Sequence, residues 1–483
     1  MAATAVSRVR EGLAPVGAFF SSFALAVKKG DIYVKLSLVI MGLGHIVRKR
    51  VASGIALFLT EIGFFVFLSK FALKYIGKLP TLGTVQAEMY FDPILFTNVW
   101  NDYDHSFKIL LYGIVSVLMI LAFIYIWMTS VKLAYRLQCD RAEGVRIPTL
   151  RNSISDALDT KYYRTLLFLP ILGIVIFTVI PLIVMIAVAF TNYDQQHMPP
   201  TALFTWVGIE NFRQIFSTSI TSTFGYTFAK ILTWTLTWAV LATFTNYIGG
   251  ILLALLINNK YTRAKKFWRT CFVVAMAVPQ FVTLLLVRNF FADQGIVNTI
   301  CSNLGITAFL KNIGLVPEYL NYIPFLTHKV WAKVMIIVIN IWVGVPYLLL
   351  IATGVLMNIP QDLYEAATID GANNVQKFRA ITMPYMLFVT GPYLINSVVQ
   401  NINNFNVIYL LTQDVYETTD QLMAISHGRE TDLLVTWLFR LTNEYYNYKM
   451  ASVIGILVFV VCTVITLVAF NVFLKKNKEG EMQ

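Results

Sequence analysis

The stretch YEAATIDGANNVQKFRAITMP, residues 364–384, lies between two long apolar runs and is itself polar, alanine-rich and compatible with helix. A plain loop would not need two adjacent alanines and an Asp-Gly turn set among helix formers. Pro360 suits a first helical turn, where its missing N–H has no partner to lose. Asp362 and Glu365 suit the positive end of that helix, and Ala366 and Ala367 extend it with almost no bulk. Asp370-Gly371 reads as a turn, with glycine supplying backbone angles that other residues resist. A second short helix is expected from about Asn373 to Ile381, with Phe378 and Ile381 sharing a face and Pro384 stopping it. The product is a bent pair of helices with small residues at the bend, a shape able to seat in another protein's groove.

Composition says what flanks this knuckle. Of 483 residues, 57% are hydrophobic and 13% charged, with a mean hydropathy of +0.66. Soluble domains carry about 25% charged residues, so lipid solvates much of this chain. A hydrocarbon core of about 30 Å takes about 20 apolar residues in a helix to cross. Eight runs qualify: Val51–Phe71, Ile109–Val131, Leu166–Phe190, Ile231–Ile257, Phe267–Val287, Val334–Met357, Met386–Thr412 and Ala451–Leu474. Val34–Val47 is apolar but short, and is expected to lie in the interface. The fold class is therefore an all-α polytopic membrane protein with about eight transmembrane helices. Residues 12–27 are only weakly apolar and no cleavage site follows, so a cleaved signal is not expected. Cys139, Cys271, Cys301 and Cys462 form no CxxC pair, which points to neither a disulfide framework nor a metal site.

Charge placement orients the spans. With both termini placed in the cytoplasm, the inner segments hold 24 Lys and Arg residues against 12 in the outer ones, as the positive-inside rule requires. Asn258–Lys266 is the sharpest case, with Lys260, Arg263, Lys265 and Lys266 and no acid. The net charge of +12 thus marks topology beside anionic headgroups and does not indicate nucleic acid. Residues 364–384 face the cytoplasm in this arrangement.

Ionisable groups within the spans are few. Glu61 lies in the first run, and none of the five histidines lies in any, which argues against an ion or proton relay. The seventh run instead concentrates amides: Asn396, Gln400, Asn401, Asn403 and Asn404. Positions 396, 400 and 404 recur at helical spacing and share a broad face. Amides facing lipid cost several kcal/mol each in unmade hydrogen bonds, so that face must look inward. Interhelical bonding is the competing reading, at about 0.6 kcal/mol per bond, but one or two amides usually suffice for it. A neutral, hydroxyl-rich solute fits an amide lining, because amides both donate and accept. Gly391-Pro392, Gly344-Val345-Pro346-Tyr347 and Pro279-Gln280 read as helix interruptions beside that face.

Residues 360–385 resemble the EAA loop of ATP-binding-cassette (ABC) importer permeases. The match rests on Glu365-Ala366-Ala367, Asp370-Gly371-Ala372, Phe378 and Ile381-Thr382-Met383-Pro384, with Met383 standing for a leucine. From about residue 200 to 474 the chain resembles the maltose/maltodextrin (MalF-like) group of these permeases. WVGIENF (206–212), IWVGVPY (341–347), NINNFNVIYLLT (401–412) and TDLLV (431–435) carry that likeness.

The resemblance implies a type I ABC importer transmembrane domain. It divides the chain into a cytoplasmic arm with an interfacial helix (1–50), two accessory spans and a loop (51–165), a six-helix core bearing the coupling loop (166–474) and a tail (475–483). It implies a second permease as heterodimer partner, two copies of an ATPase that bind ATP and magnesium, and an extracellular sugar-binding lipoprotein. The cargo would be an oligosaccharide. Coupling would fall on Glu365, Ala366, Ala367, Asp370, Gly371, Ala372, Phe378 and Pro384. The sugar site would fall on Gln280, Gly344, Tyr347, Gln400, Asn401 and Asn404. Gln280 replaces a serine of the family pattern, and Gln400 a phenylalanine, which removes one stacking face. No catalytic or metal-binding residue and no cofactor of the chain's own is implied, and no G-x-x-x-x-G-K-[ST] phosphate loop occurs. The short outer loop Thr191–Lys230 resembles Gram-positive forms, placing the protein in a bacterial plasma membrane.

The alternative is an ion-coupled secondary sugar carrier or a membrane enzyme acting on lipid-linked sugars. A carrier often shows inverted repeats with paired broken helices, and no convincing pair is seen. For an enzyme, the nearest constellation is His105 with Asp102 and Asp104, expected to be a solvated outer-loop segment.

Overall fold

A computed structural model describes residues 17–94, 96–145, 152, 155–156, 158–217, 223–259, 261–412 and 418–480. Lys260, the start of the N-terminal arm and the last three residues of the tail lie outside the described residues. The chain forms two compact units, residues 1–208 and 209–483.

In the first unit a helix over residues 17–29 (α1) leads into two short helices, α2 (Ile32–Leu36) and α3 (Leu43–Ile46). Neither is long enough to cross a bilayer. Three long helices follow: α4 (Val51–Lys78), α5 (Ser106–Ala142) and α6 (Tyr162–Val188). Asp31 organises the short segment. It caps α2 by accepting from the Val34 N–H at 2.9 Å, and it pairs with Arg48 at 2.6 Å. Glu61 of α4 is buried and accepts from the Met41 N–H at 2.8 Å, so the one carboxylate in the first run supports a turn. An antiparallel hairpin, β1 (Met89–Asp92) with β2 (Thr97–Trp100), links α4 to α5. Asp104, expected in solvent, is 6% exposed, paired with Lys78, and accepts from the Thr84 and Val85 N–H groups. It serves the fold.

The second unit carries α7 (Glu210–Phe216), α8 (Thr223–Asn258), α9 (Lys265–Ala277), α10 (Gln280–Phe290), α11 (Ile296–Asn303), α12 (Ile306–Asn312) and α13 (Lys329–Leu356). After α13 come α14 (Gln361–Ile369), α15 (Asn374–Lys377), a π turn (Phe378–Thr382), α16 (Met383–Ile402) and α17 (Phe405–Thr412). The unit ends with α18 (Gln421–Ile425), α19 (Leu434–Asn443) and α20 (Tyr448–Gly480). Trp238, Leu284, Ile336, Val407 and Leu433 meet in one core; Tyr247, Ile251, Leu349 and Met386 form another.

Among the described residues six helices are long and apolar enough to cross a membrane, or seven with the α9–α10 pair taken as one bent span. That pair bends by 93° at Val278-Pro279, where the interruption was expected. The seventh run, Met386–Thr412, is two helices separated at Asn403-Asn404, as befits a segment whose amides compete for backbone groups.

The other expected interruptions do not occur. Pro346 and Pro392 sit inside continuous helices, as membrane helices allow when neighbours satisfy the freed carbonyl. Pro384 does not stop the knuckle's second helix either: the π turn directly precedes it and runs straight into α16. A proline ring collides with the carbonyl four residues back. For Pro384 that carbonyl belongs to Ala380, which the wider turn displaces. Pro181 has the same arrangement behind the π turn Val175–Val179.

His45 is fully buried, and neither ring nitrogen has a hydrogen-bond partner. Burial, followed by the charges of Arg50 and Arg48, lowers its pKa from 6.5 to about 4. The unfolded chain therefore takes up this proton first, and stability is lost as pH falls from about 6.5 toward about 4. Thermal unfolding in detergent should show a midpoint that drops between pH 7.5 and 5, with a smaller drop in His45→Gln. Equal drops in both proteins would contradict the assignment.

Candidate functional site

A cavity of about 1480 Å³ opens in the second unit between α8, α9, α10, α13, α16 and α17. All six residues assigned to a sugar site, Gln280, Gly344, Tyr347, Gln400, Asn401 and Asn404, line it. Gln280 stands at the start of α10, just past the 93° bend, so the break in the chain turns its amide position into cavity wall. Gly344 and Tyr347 come from the middle of α13, and Gln400 and Asn401 from the last turn of α16. Asn396 and Asn403 line the cavity too, as does Asn406, a sixth amide of the seventh run that sequence reasoning did not single out, so all six border one space.

These amides divide by what they already hold. Asn401 donates through Nδ2 to Thr243 Oγ1 at 2.9 Å, and its backbone carbonyl accepts from Trp238 Nε1 at 3.1 Å. Asn404 donates to Asn401 Oδ1 at 3.4 Å and accepts from the Val407 N–H at 3.2 Å, capping α17. Both therefore tie α16 and α17 into the bundle as well as facing the cavity. Gln280, Asn396 and Gln400 are exposed within it. Trp342 and Tyr347 present rings 61% and 49% exposed, and Tyr393 lies 6.2 Å from Tyr347 between ring centres. Flat apolar faces are thus present even though position 400 is glutamine.

Sequence reasoning missed Asn246 and Asn340, buried amides of α8 and α13 that also line the cavity. Each is a single amide in an apolar run, which was the available signal, but neither belongs to a periodic set. Among the described lining residues there is no Asp, Glu, Lys, Arg or His.

Charges gather elsewhere in this unit. Lys230 pairs with Glu430 at 2.9 Å and with Asp420 at 3.0 Å, and Lys333 reaches Glu430 at 3.6 Å. The Tyr226 hydroxyl, and then Lys230, hold the Asp420 carboxyl down to about 2 against the effect of burial. Asp432 is buried against Arg440, with bonds from the Arg429 N–H and the Thr436 hydroxyl, so the TDLLV stretch fastens α19.

The knuckle of residues 360–385 is an elbow with a defined bend. Helix α14 closes with the Ala372 N–H on the Ala367 carbonyl (2.8 Å) and the Gly371 N–H on the Thr368 carbonyl (3.1 Å), Asp370 being the last residue before the bend. Gly371 at φ +79° supplies the left-handed step this closure requires. Asn373 then opens α15 with a reciprocal capping box to Gln376. Tyr364 and Thr382 join hydroxyls at 2.8 Å, and Lys377 donates to Thr368 at 2.6 Å, so the two arms are braced. Phe378 packs with Met383 on the core around Met386, while Glu365, Ala366, Asp370 and Pro384 are exposed and Ala367 and Ala372 half-buried. The outer side also bares Ile369 (87% exposed) and Val375 (60%). An exposed apolar face on a braced polar elbow suits a protein partner.

Comparison with known proteins shows the family. A family described as binding-protein-dependent transport system inner membrane component matches residues 246–478. The chain is 32% identical over 454 residues to the maltodextrin transport system permease protein MdxF of Bacillus subtilis (strain 168), covering 92% of this chain and 95% of that protein. It is 34% identical over 435 residues to the galactooligosaccharides transport system permease protein GanP of the same organism, covering 90% and 95%. Among solved structures, a chain of a bacterial alginate ABC transporter, in complex with an alginate pentasaccharide-bound periplasmic protein, is similar. The TM-score is 0.50 at 25% identity, over 65% of this chain and 94% of that one.

The capping box makes a local prediction. Asn373→Ala should cost the second arm about 1 kcal/mol, read as faster amide hydrogen exchange over residues 374–377. Unchanged exchange there would contradict the cap.

Proposed function

Because the chain belongs to the family of binding-protein-dependent transport system inner membrane components, we propose that it is the permease subunit of an ABC importer for a neutral oligosaccharide. The cavity carries this reading: it joins amides and aromatic rings with no charged group among its described lining residues. Amides match sugar hydroxyls, rings match the apolar faces of pyranoses, and the lack of cations disfavours an acidic cargo such as alginate. Maltodextrins and galacto-oligosaccharides, named for the relatives above, are of the fitting kind.

The chain is a multi-pass membrane protein, and in this reading its termini and the 360–385 elbow face the cytoplasm of a Gram-positive bacterium. Residues 166–474 form the shared permease core, and a second permease closes the open side of the cavity. An extracellular lipoprotein delivers sugar. Two ATPase subunits bind ATP and magnesium and push on Glu365, Ala366, Ala367, Asp370, Gly371, Ala372, Phe378 and Pro384. That push reaches the cavity along an unbroken path, since α15, the π turn and α16 form one helical rod ending at Gln400 and Asn401.

Two outcomes test the proposal. Glu365→Lys or Gly371→Asp should abolish co-purification of the ATPase while membrane insertion is retained; normal co-purification contradicts the coupling role. Asn401→Ala combined with Asn404→Ala should lower ATP-driven uptake by about tenfold. Unchanged uptake across several oligosaccharides would remove this face from the pathway.

A further inference from the structure

Asn246 of α8 lines the same cavity but is bound into no network described above. It is 9% exposed, and its Oδ1 is buried without a hydrogen-bond partner. Buried amides in folded proteins are almost always bonded. Turning the group over does not help, because a buried N–H would then be left in the same place. On α13 the residue against it is Gly344, which has no side chain to bond it, and Asn340 one turn away makes no bond to it and leaves its own Nδ2 buried and unpartnered beside the same cavity. A Cβ added to Gly344 would stand 2.3 Å from Asn246 Nδ2 and 2.7 Å from its Cγ, so the amide lies against the bare backbone of α13. The two helices therefore make room for a polar group and then leave it unbonded at the wall of a hydroxyl-compatible space.

We propose that Asn246 is a specificity-determining residue of the cavity, its amide bonding a hydroxyl of the passing sugar. Gly344 serves recognition indirectly, by leaving the volume that the amide occupies. The inference rests on the reading of this cavity as an oligosaccharide pathway and adds the residue that discriminates between sugars. A hydroxyl both donates and accepts, so it meets the amide whichever end is presented. A sugar placing carbon or hydrogen at that point would leave the amide unmet, which is how buried polar groups reject the wrong ligand. Gln400 and Asn396 are exposed and adjust to either sugar, whereas Asn246 is held by its packing and cannot.

The test uses the whole transporter in proteoliposomes: this chain with its second permease, its ATPase and its sugar-binding protein, the last at saturation. Maximal ATP-driven uptake of labelled maltotriose and of labelled galactotriose is measured. Asn246→Leu keeps the size and removes the bond. It should change the ratio of the two rates by about tenfold, mainly through loss at the preferred sugar. Gly344→Ala, whose methyl would displace the amide, should change the ratio in the same direction. If Asn246→Leu does not assemble, Asn246→Ser gives the same reading. Equal losses for both sugars in assembled variants, as a purely structural role produces, would overturn the inference and leave the importer reading standing. A wild-type complex that hydrolyses ATP but imports neither sugar would overturn the importer reading, and this inference with it.

Discussion

In the hydrocarbon core of a membrane an amide can bond only to another protein group or to something passing by, and most of the second unit is arranged around that constraint. Asn401 bonds Thr243, Asn404 bonds Asn401 and caps α17, and the remaining amides turn toward a shared cavity. Each amide left toward lipid would cost several kcal/mol, so the helices that bear them have little freedom to rotate. The bend at Val278-Pro279 and the split at Asn403-Asn404 follow the same logic, because irregular backbone at membrane depth is tolerated where it borders protein or water.

The second organising feature is mechanical continuity. The braced elbow is no appendage: its second arm, the π turn and α16 are successive turns of one rod. From Phe378 to Gln400 that rod is about 33 Å long at the rise of an α-helix. Phe378 and Met383 pack on the core around Tyr247 and Leu349, so a push on the elbow, as proposed above, would bear on α8 and α13, the helices that carry Asn246 and Gly344. The π turn keeps Pro384 within the rod, where an ordinary α turn would have clashed and kinked it.

Much of this was legible in the residues. Apolar run lengths located the long helices, and the recurrence of amides at 396, 400 and 404 identified the cavity face, because both signals are periodic. The elbow followed from Asp370-Gly371 and from the helix formers around it. The misreadings involve prolines. Whether Pro346, Pro384 or Pro392 breaks a helix depends on whether the carbonyl four residues back finds relief in a wider turn or a neighbouring helix, which local sequence does not encode. Asn246 and Asn340 were missed for a related reason: a lone amide in an apolar run has no pattern, and its meaning comes from what faces it, in one case Gly344. Asp104 was read as solvated because its partner Lys78 lies 26 residues away across the hairpin.

In the function proposed here, one chain joins a cytoplasmic knob, worked by a foreign motor, to an uncharged polar passage for sugar. A density map of the assembled, nucleotide-trapped transporter with its cargo tests this most directly. The account predicts a sugar within hydrogen-bonding distance of the α16 amides, and Ile369 buried in a cleft of the ATPase. Acyl chains filling that space, with residues 364–384 free in solvent or on the far side of the membrane, would contradict it.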